Sequence, residues 1–206
     1  DLYKAGIVSI TDIPDKYSLS DNQKIQVECE KTGKTIFNKN DIQEFLSSIE
    51  FPLSFIDFET FNPVLPMFDN SRPYQQIPFQ FSIHLLEKEN STLLHKPFLA
   101  EANLSVDPRI KFIENLLNEL KNVKTVVVYN KTFELGRLKE IARDFPECAD
   151  EIELVTNKVV DLMSPFQSKS YYKPEMRGSY SIKHVLPALI PDLSYQGLAI
   201  SEGSEA

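Results

Sequence analysis

The sequence predicts an α/β fold built on a partly parallel sheet, and three segments carry the prediction. Pro52-Leu53-Ser54-Phe55-Ile56-Asp57-Phe58-Glu59 is an apolar, aromatic and β-prone run opened by proline, which reads as a strand. Asp107-Pro108 supplies an N-cap with proline at the first helical position, and Ile110, Phe112, Ile113, Leu116, Leu117 and Leu120 follow at helical spacing. Thr125-Val126-Val127-Val128-Tyr129 is a wholly apolar, β-branched run of the kind buried on both faces, with a second helix just beyond Asn130. Strand, helix, strand and helix in that order imply strands joined by crossovers.

Taken in order, residues 1–50 are polar and weakly periodic. They read as a lead-in with one short helix, where Ile42, Phe45 and Leu46 share a face. The strand at 52–59 follows. The stretch from Asn62 to Pro78 holds four prolines and reads as a loop. Phe79 to Leu85 then alternates strictly, and Thr92 to Phe98 adds another apolar run, which together make a hairpin. After the helix and the buried strand, a second helix is expected over Phe133 to Phe145. Leu138, Ile141, Ala142 and Phe145 stand on its core stripe, and Glu134 opens that stripe. A strand over Glu153 to Leu162, a Tyr/Pro/Lys-rich loop at 170–177 and a helix over Ser181 to Leu189 complete the chain. Ser181 and Asp107 are the expected caps.

The totals narrow the class. The 206 residues, 42% hydrophobic and 25% charged, suit one core with a small annex. A net charge of −8 repels a phosphate backbone at long range, unless bound cations cancel some of the acids. Cys29 and Cys148 stand far apart and outside any Cys-x-x-Cys pair, which argues against a disulfide framework or structural zinc and for a reducing cytoplasm. No run approaches the length of a membrane span, and no signal-peptide pattern opens the chain. Beginning on Asp1 and ending on Ser201-Glu202-Gly203-Ser204-Glu205-Ala206, it reads as a piece of a longer protein.

The chemistry concentrates on acids. On a strand, Asp57 and Glu59 point to one face while Ile56 and Phe58 point to the other. Two carboxylates that close are costly without a shared proton or cation, and hard oxygen ligands suit Mg²⁺ or Mn²⁺. The bland alternative is a strand with one wet face. Glu134 needs a partner on an apolar stripe, although acids in a first turn also answer the helix dipole. The segment from Tyr171 to His184 interleaves aromatics with cations, as single-stranded nucleic acid requires, or is an ordinary surface loop.

Two of these segments resemble the first motifs of the DEDD superfamily of 3′→5′ exonucleases. One is the Asp-x-Glu strand Asp57-Phe58-Glu59-Thr60. The other is an Asn-x-x-[Phe/Tyr]-Asp signature at a strand-to-helix step, here Asn130-Lys131-Thr132-Phe133-Glu134. Further runs, at Arg72-Pro73-Tyr74, Val160-Asp161-Leu162 and Gly178 to Lys183, are similar to an uncharacterised bacterial family of predicted nuclease domains in that superfamily. The resemblance covers residues 50–206. It implies a ribonuclease-H-like mixed sheet flanked by helices and a nuclease domain over 51–206.

It also implies a site in which Asp57, Glu59 and Glu134 are catalytic and hold two Mg²⁺ or Mn²⁺ ions about 3.5–4 Å apart. Lys183, Arg177, Tyr180, Thr60 and Asn130 become contacts to DNA or RNA, entered from single-stranded 3′ ends. Two departures matter. Glu134 stands where most members carry Asp, and no Tyr-x-x-x-Asp or His-x-x-x-x-Asp pattern follows it. The fourth acid is therefore expected beyond Ala206, or else Asp161 stands in for it at the end of its strand. Tyr17 to Asp21 fits the spacing in the wrong order along the chain. His84 and His184 are substitutes for the water-orienting residue, and structural roles for both stand beside that.

The alternative function is a catalytically silent ribonuclease-H-like module that binds nucleic acid or protein. A two-carboxylate glycosidase fits poorly with a chain that has no tryptophan.

Overall fold

A computed structural model describes residues 2–103 and 105–194; Asp1, Leu104 and the stretch 195–206 lie outside the described residues. The described chain forms two compact units, 2–47 with 163–194 and, between them in sequence, 48–162.

The chain opens with helix α1 (Asp21–Thr32), strand β1 (Ile36–Phe37) and helix α2 (Lys39–Ser47). Two helices thus stand where one was expected. Ser20 and Gln23 close α1 with a reciprocal capping box, and Gly33 ends it at φ 67. Only Val27 and Cys29 of α1 are buried, so its sequence carries almost no apolar stripe. β1 pairs antiparallel with β7 (Tyr171–Tyr172), which lies in the region expected to be loop. This unit also holds helices α6 (Ser164–Gln167) and α7 (Ile182–Leu189). Cys29, Tyr172, Met176, Val185 and Ala188 form its core. Residues 1–47 are therefore more than a lead-in: they share a unit with 163–194.

The unit over 48–162 holds strands β2 (Leu53–Phe61), β3 (Ile77–Leu86), β4 (Leu94–Leu99), β5 (Thr125–Val128) and β6 (Val159–Asp161). Its helices are α3 (Pro108–Leu120), α4 (Lys131–Asp144) and α5 (Ala149–Thr156). The sheet order is β4-β3-β2-β5-β6. β3 runs antiparallel to the central β2 and to β4, whereas β5 is parallel to β2 and to β6. A five-stranded mixed sheet in this order, flanked by helices, is a ribonuclease-H-like arrangement. Its core sets Ile56, Phe58, Phe81, Ile83, Val126 and Val128 against Phe112, Leu116, Leu138, Ile141 and Ile152 of α3, α4 and α5.

Three expectations in this unit need correction. Glu153 to Leu162 is not one strand: α5 runs to Thr156 and buries Ile152 and Val155 three residues apart, and only Val159–Asp161 pairs with β5. Ile110 is not on the core stripe of α3, being 44% exposed, while Arg109 is fully buried in its place. Asp107 caps α3 through the Arg109 N–H and also binds the Arg109 guanidinium at 2.6 Å, so it is more than a cap. In the other unit, Ser181 precedes α7 in an extended conformation but makes no capping hydrogen bond with its side chain.

Candidate active site

Alternation along β2 delivers the first two acids. Ile56 and Phe58 are buried at 5% and 3% exposure, whereas Asp57 faces outward and Glu59 is half-buried on the same side. Across the antiparallel pairing Asp57 stands opposite Ser82 and Glu59 opposite Gln80, and the register shifts in a bulge between Glu59 and Thr60. Bulges recur beside active sites because they re-aim a side chain or end a pairing. Although the residue as a whole is exposed, partial loss of water around the Asp57 carboxyl pushes it above its ordinary range. Glu59 is raised by burial first and then by the charge of Asp57, so the two carboxylates sense each other.

The third acid arrives from the step between β5 and α4. Asn130 turns there through the left-handed region at φ 72 and makes no capping bond with its side chain. Asp161, at the end of neighbouring β6, takes over the cap: Oδ1 accepts the Asn130 N–H at 2.9 Å and Oδ2 the Lys131 N–H at 3.1 Å. One turn on, Glu134 is 4% exposed and lies on the same buried stripe as Leu138 and Ile141. Its Oε2 is buried without a hydrogen-bond partner among the described residues. Burial, followed by the charges of Asp57 and Asp161, pushes its carboxyl up to about 7.

Asp57 is therefore the common neighbour, felt by Glu59 on its own strand and by Glu134 on α4. Among the described residues, however, no three acids, histidines or cysteines stand close enough to hold a metal ion. The donor chemistry suits Mg²⁺ or Mn²⁺, since every candidate is a carboxylate and one buried oxygen lacks a partner. Asp161 already spends one lone pair of each oxygen on the start of α4, which makes it first a positioning group.

The remaining predicted residues divide between the units. Thr60 follows the bulge, and Asn130 contributes its N–H to Asp161. Arg177, Tyr180 and Lys183 belong to the other unit, where Arg177 and Lys183 line a recess with Glu175, His184, Pro187 and Ala188. His84 lies on β3, stacked on His95.

The sequence reading missed an ionic knot that ties α3, α4 and the loop after β2 together. Arg109 Nη1 donates to Asp144 Oδ2 at 2.8 Å, and Asp144 also accepts from Gln75, Arg72 and Arg143. Arg109 Nη2 reaches the Asp69 carbonyl, and the guanidinium lies over the Phe145 ring. The knot fixes the loop that follows Glu59 onto α3 and α4. Its only sequence signal was an arginine at stripe spacing from Phe112, Ile113 and Leu116.

No helix among the described residues is long and apolar enough to cross a membrane. No solved structure matches the chain. Two curated relatives are an uncharacterised protein of Ureaplasma parvum, 28% identical over 170 residues, and one of Mycoplasma pneumoniae, 29% identical over 170 residues. The alignments cover 72% and 74% of this chain, which spans about a quarter of the relatives' length, 24% and 25%. The family model described as Domain of unknown function (DUF2779) matches residues 54–181, from β2 through Arg177 and Tyr180, and the chain belongs to that family.

Proposed function

We propose that this domain is a divalent-cation-dependent nuclease, a 3′→5′ exonuclease that hydrolyses phosphodiester bonds of DNA or RNA. The observation that carries the proposal is the buried, unpartnered oxygen of Glu134 in the field of Asp57, at the strand-to-helix step of a ribonuclease-H-like sheet. A buried carboxyl held near neutrality is a group waiting for either a proton or a cation. In this reading Asp57, Glu59 and Glu134 hold the ions, and Asp161 fixes the start of α4 so that Glu134 is presented correctly. Bound Mg²⁺ or Mn²⁺ would lower the pKa of a water and neutralise charge at the leaving oxygen. Arg177, Tyr180, Lys183, Thr60 and Asn130 are the proposed contacts to the strand.

A second reading, a silent module that binds nucleic acid or protein, draws on the finding that among the described residues no three acids, histidines or cysteines are grouped closely enough to hold a metal ion. One experiment separates the two. Calorimetric titration of Mn²⁺ into the chain, with cleavage of a 3′-labelled single strand followed in parallel, should give saturable binding and shortening from the labelled end. Asp57→Ala should lose both. Cleavage undiminished in that variant would remove these acids from the chemistry, and absence of Mn²⁺ binding to the wild type would favour the silent module.

A further inference from the structure

The face of the sheet that carries Asp57 also carries a row of rings. Phe55 lies two residues before Asp57 on β2 and therefore on the same side; it is 40% exposed although its strand is central. The register sets His84 of β3 opposite Phe55 and His95 of β4 opposite His84. Directly opposed residues of antiparallel strands share a face, so the three rings cross β2, β3 and β4 in line. The two imidazoles are stacked, with centroids 4.5 Å apart and planes 13° from parallel. His95 Nε2 shares a hydrogen bond of 3.0 Å with the hydroxyl of Ser82, the residue opposite Asp57. That bond fixes the outer ring beside the register position of Asp57. His95 is exposed and His84 half-buried, so the row is reachable from solvent.

We propose that Phe55, His84 and His95 form a stacking platform for an unpaired base of a single-stranded nucleic acid whose phosphodiester lies at Asp57. The proposal deepens the nuclease reading and rests on it. In the stacked pair the facing sides of the imidazoles cover each other, so the π surface on offer is the outer face of exposed His95 together with the exposed part of Phe55, and it suits a heteroaromatic ring. A base inside a duplex already has both faces covered, so a platform of this kind selects single strands. Stacking also answers the charge problem. A chain of net charge −8 gains little from long-range attraction to phosphate, whereas stacking works on the neutral part of the nucleotide. The rings hold the base, and the acids meet the backbone only through a cation.

The test measures binding of a short single-stranded oligonucleotide containing 2-aminopurine to the full 206-residue chain in EDTA, where no hydrolysis proceeds. The matching strand with abasic sites serves as the comparison. The base-bearing strand should bind on the order of tenfold more tightly, with 2-aminopurine fluorescence quenched on binding. Phe55→Leu and His95→Gln should each bring its affinity close to that of the abasic strand, with thermal unfolding of both variants unchanged. Equal affinity for the two strands, or variants that bind like wild type, would overturn the platform. So would self-association that Phe55→Leu abolishes without any base preference. If neither strand binds, the platform falls, and Mn²⁺-dependent cleavage assayed in parallel tells whether the nuclease reading falls with it.

Discussion

Glu134 couples the site to the stability of the fold. Its carboxyl titrates near 7 in the folded chain because burial and the Asp57 charge disfavour ionisation, against an ordinary value of 4.5. Between those two values the folded state holds a proton that the unfolded state has released, so stability falls as pH rises from about 4.5 through 7. Above that window the full penalty of a buried carboxylate remains. Glu134→Gln removes it, and the variant should therefore be more stable than wild type at pH 8 by roughly 1–3 kcal/mol. At pH 4, where both side chains are neutral, the difference should vanish. Thermal unfolding at the two pH values checks this, and a gain that is the same at both would show that Glu134 is not the group responsible. A cation that binds the carboxylate acts in the same direction as a proton, because either one neutralises the buried charge. Mn²⁺ should accordingly raise the Tm of the wild type at pH 8 and leave Glu134→Gln nearly unmoved.

At the scale of elements, the acids depend on how α3, α4 and the loop after β2 are tied together, and Asp144 is the tie. It is the shared acceptor of Arg109, which is fully buried, and of Arg72 and Gln75 from the loop. Asp144→Ala leaves the Arg109 guanidinium buried with Asp107 as its remaining carboxylate, a loss on the order of 3 kcal/mol. Arg72→Ala removes a half-exposed partner and should cost about 1 kcal/mol or less. Urea unfolding of the two variants checks the order, and equal losses would mean that the buried Arg109–Asp144 pair matters no more than its half-exposed neighbour.

This knot also marks where the sequence ceased to be legible. β2, β5, α3 and α4 could be read because each has its signal within its own residues: an alternating or β-branched run, a proline after an aspartate, a stripe at helical spacing. Glu134 on that stripe was legible for the same reason, as was the shared face of Asp57 and Glu59. The partner of a buried charge is not local. Asp144 lies 35 residues from Arg109 and 72 from Arg72. α1 was missed because it buries only Val27 and Cys29, and its surest mark, the capping box at Ser20 and Gln23, is a pair of polar residues rather than a stripe. Asp161 read as a spare ligand because its role depends on the left-handed turn at Asn130, which no spacing reveals.

At the scale of the whole molecule, the two units have separate cores. Every residue of the larger apolar cluster, from Ile56 to Val155, falls within 48–162, and every residue of the smaller one falls within 2–47 or 163–194. The segment 48–162 is continuous, holds all five strands of the main sheet, and contains Asp57, Glu59, Glu134 and Asp161. Its length is well above the ~40 residues below which a single core rarely suffices. A fragment cut to 48–162 should therefore unfold in one cooperative transition and keep the rise in Tm on adding Mn²⁺. Arg177, Tyr180 and Lys183 are absent from it, so its affinity for a single strand should be lower and less sensitive to salt than that of the full chain, because phosphate contacts carry the salt dependence. Calorimetry and strand-binding titrations at two salt concentrations check both halves of the prediction. A fragment that folds but no longer responds to Mn²⁺ would mean that the metal needs a ligand from outside 48–162. A fragment that binds the strand with the affinity and salt slope of the full chain would remove Arg177, Tyr180 and Lys183 from recognition.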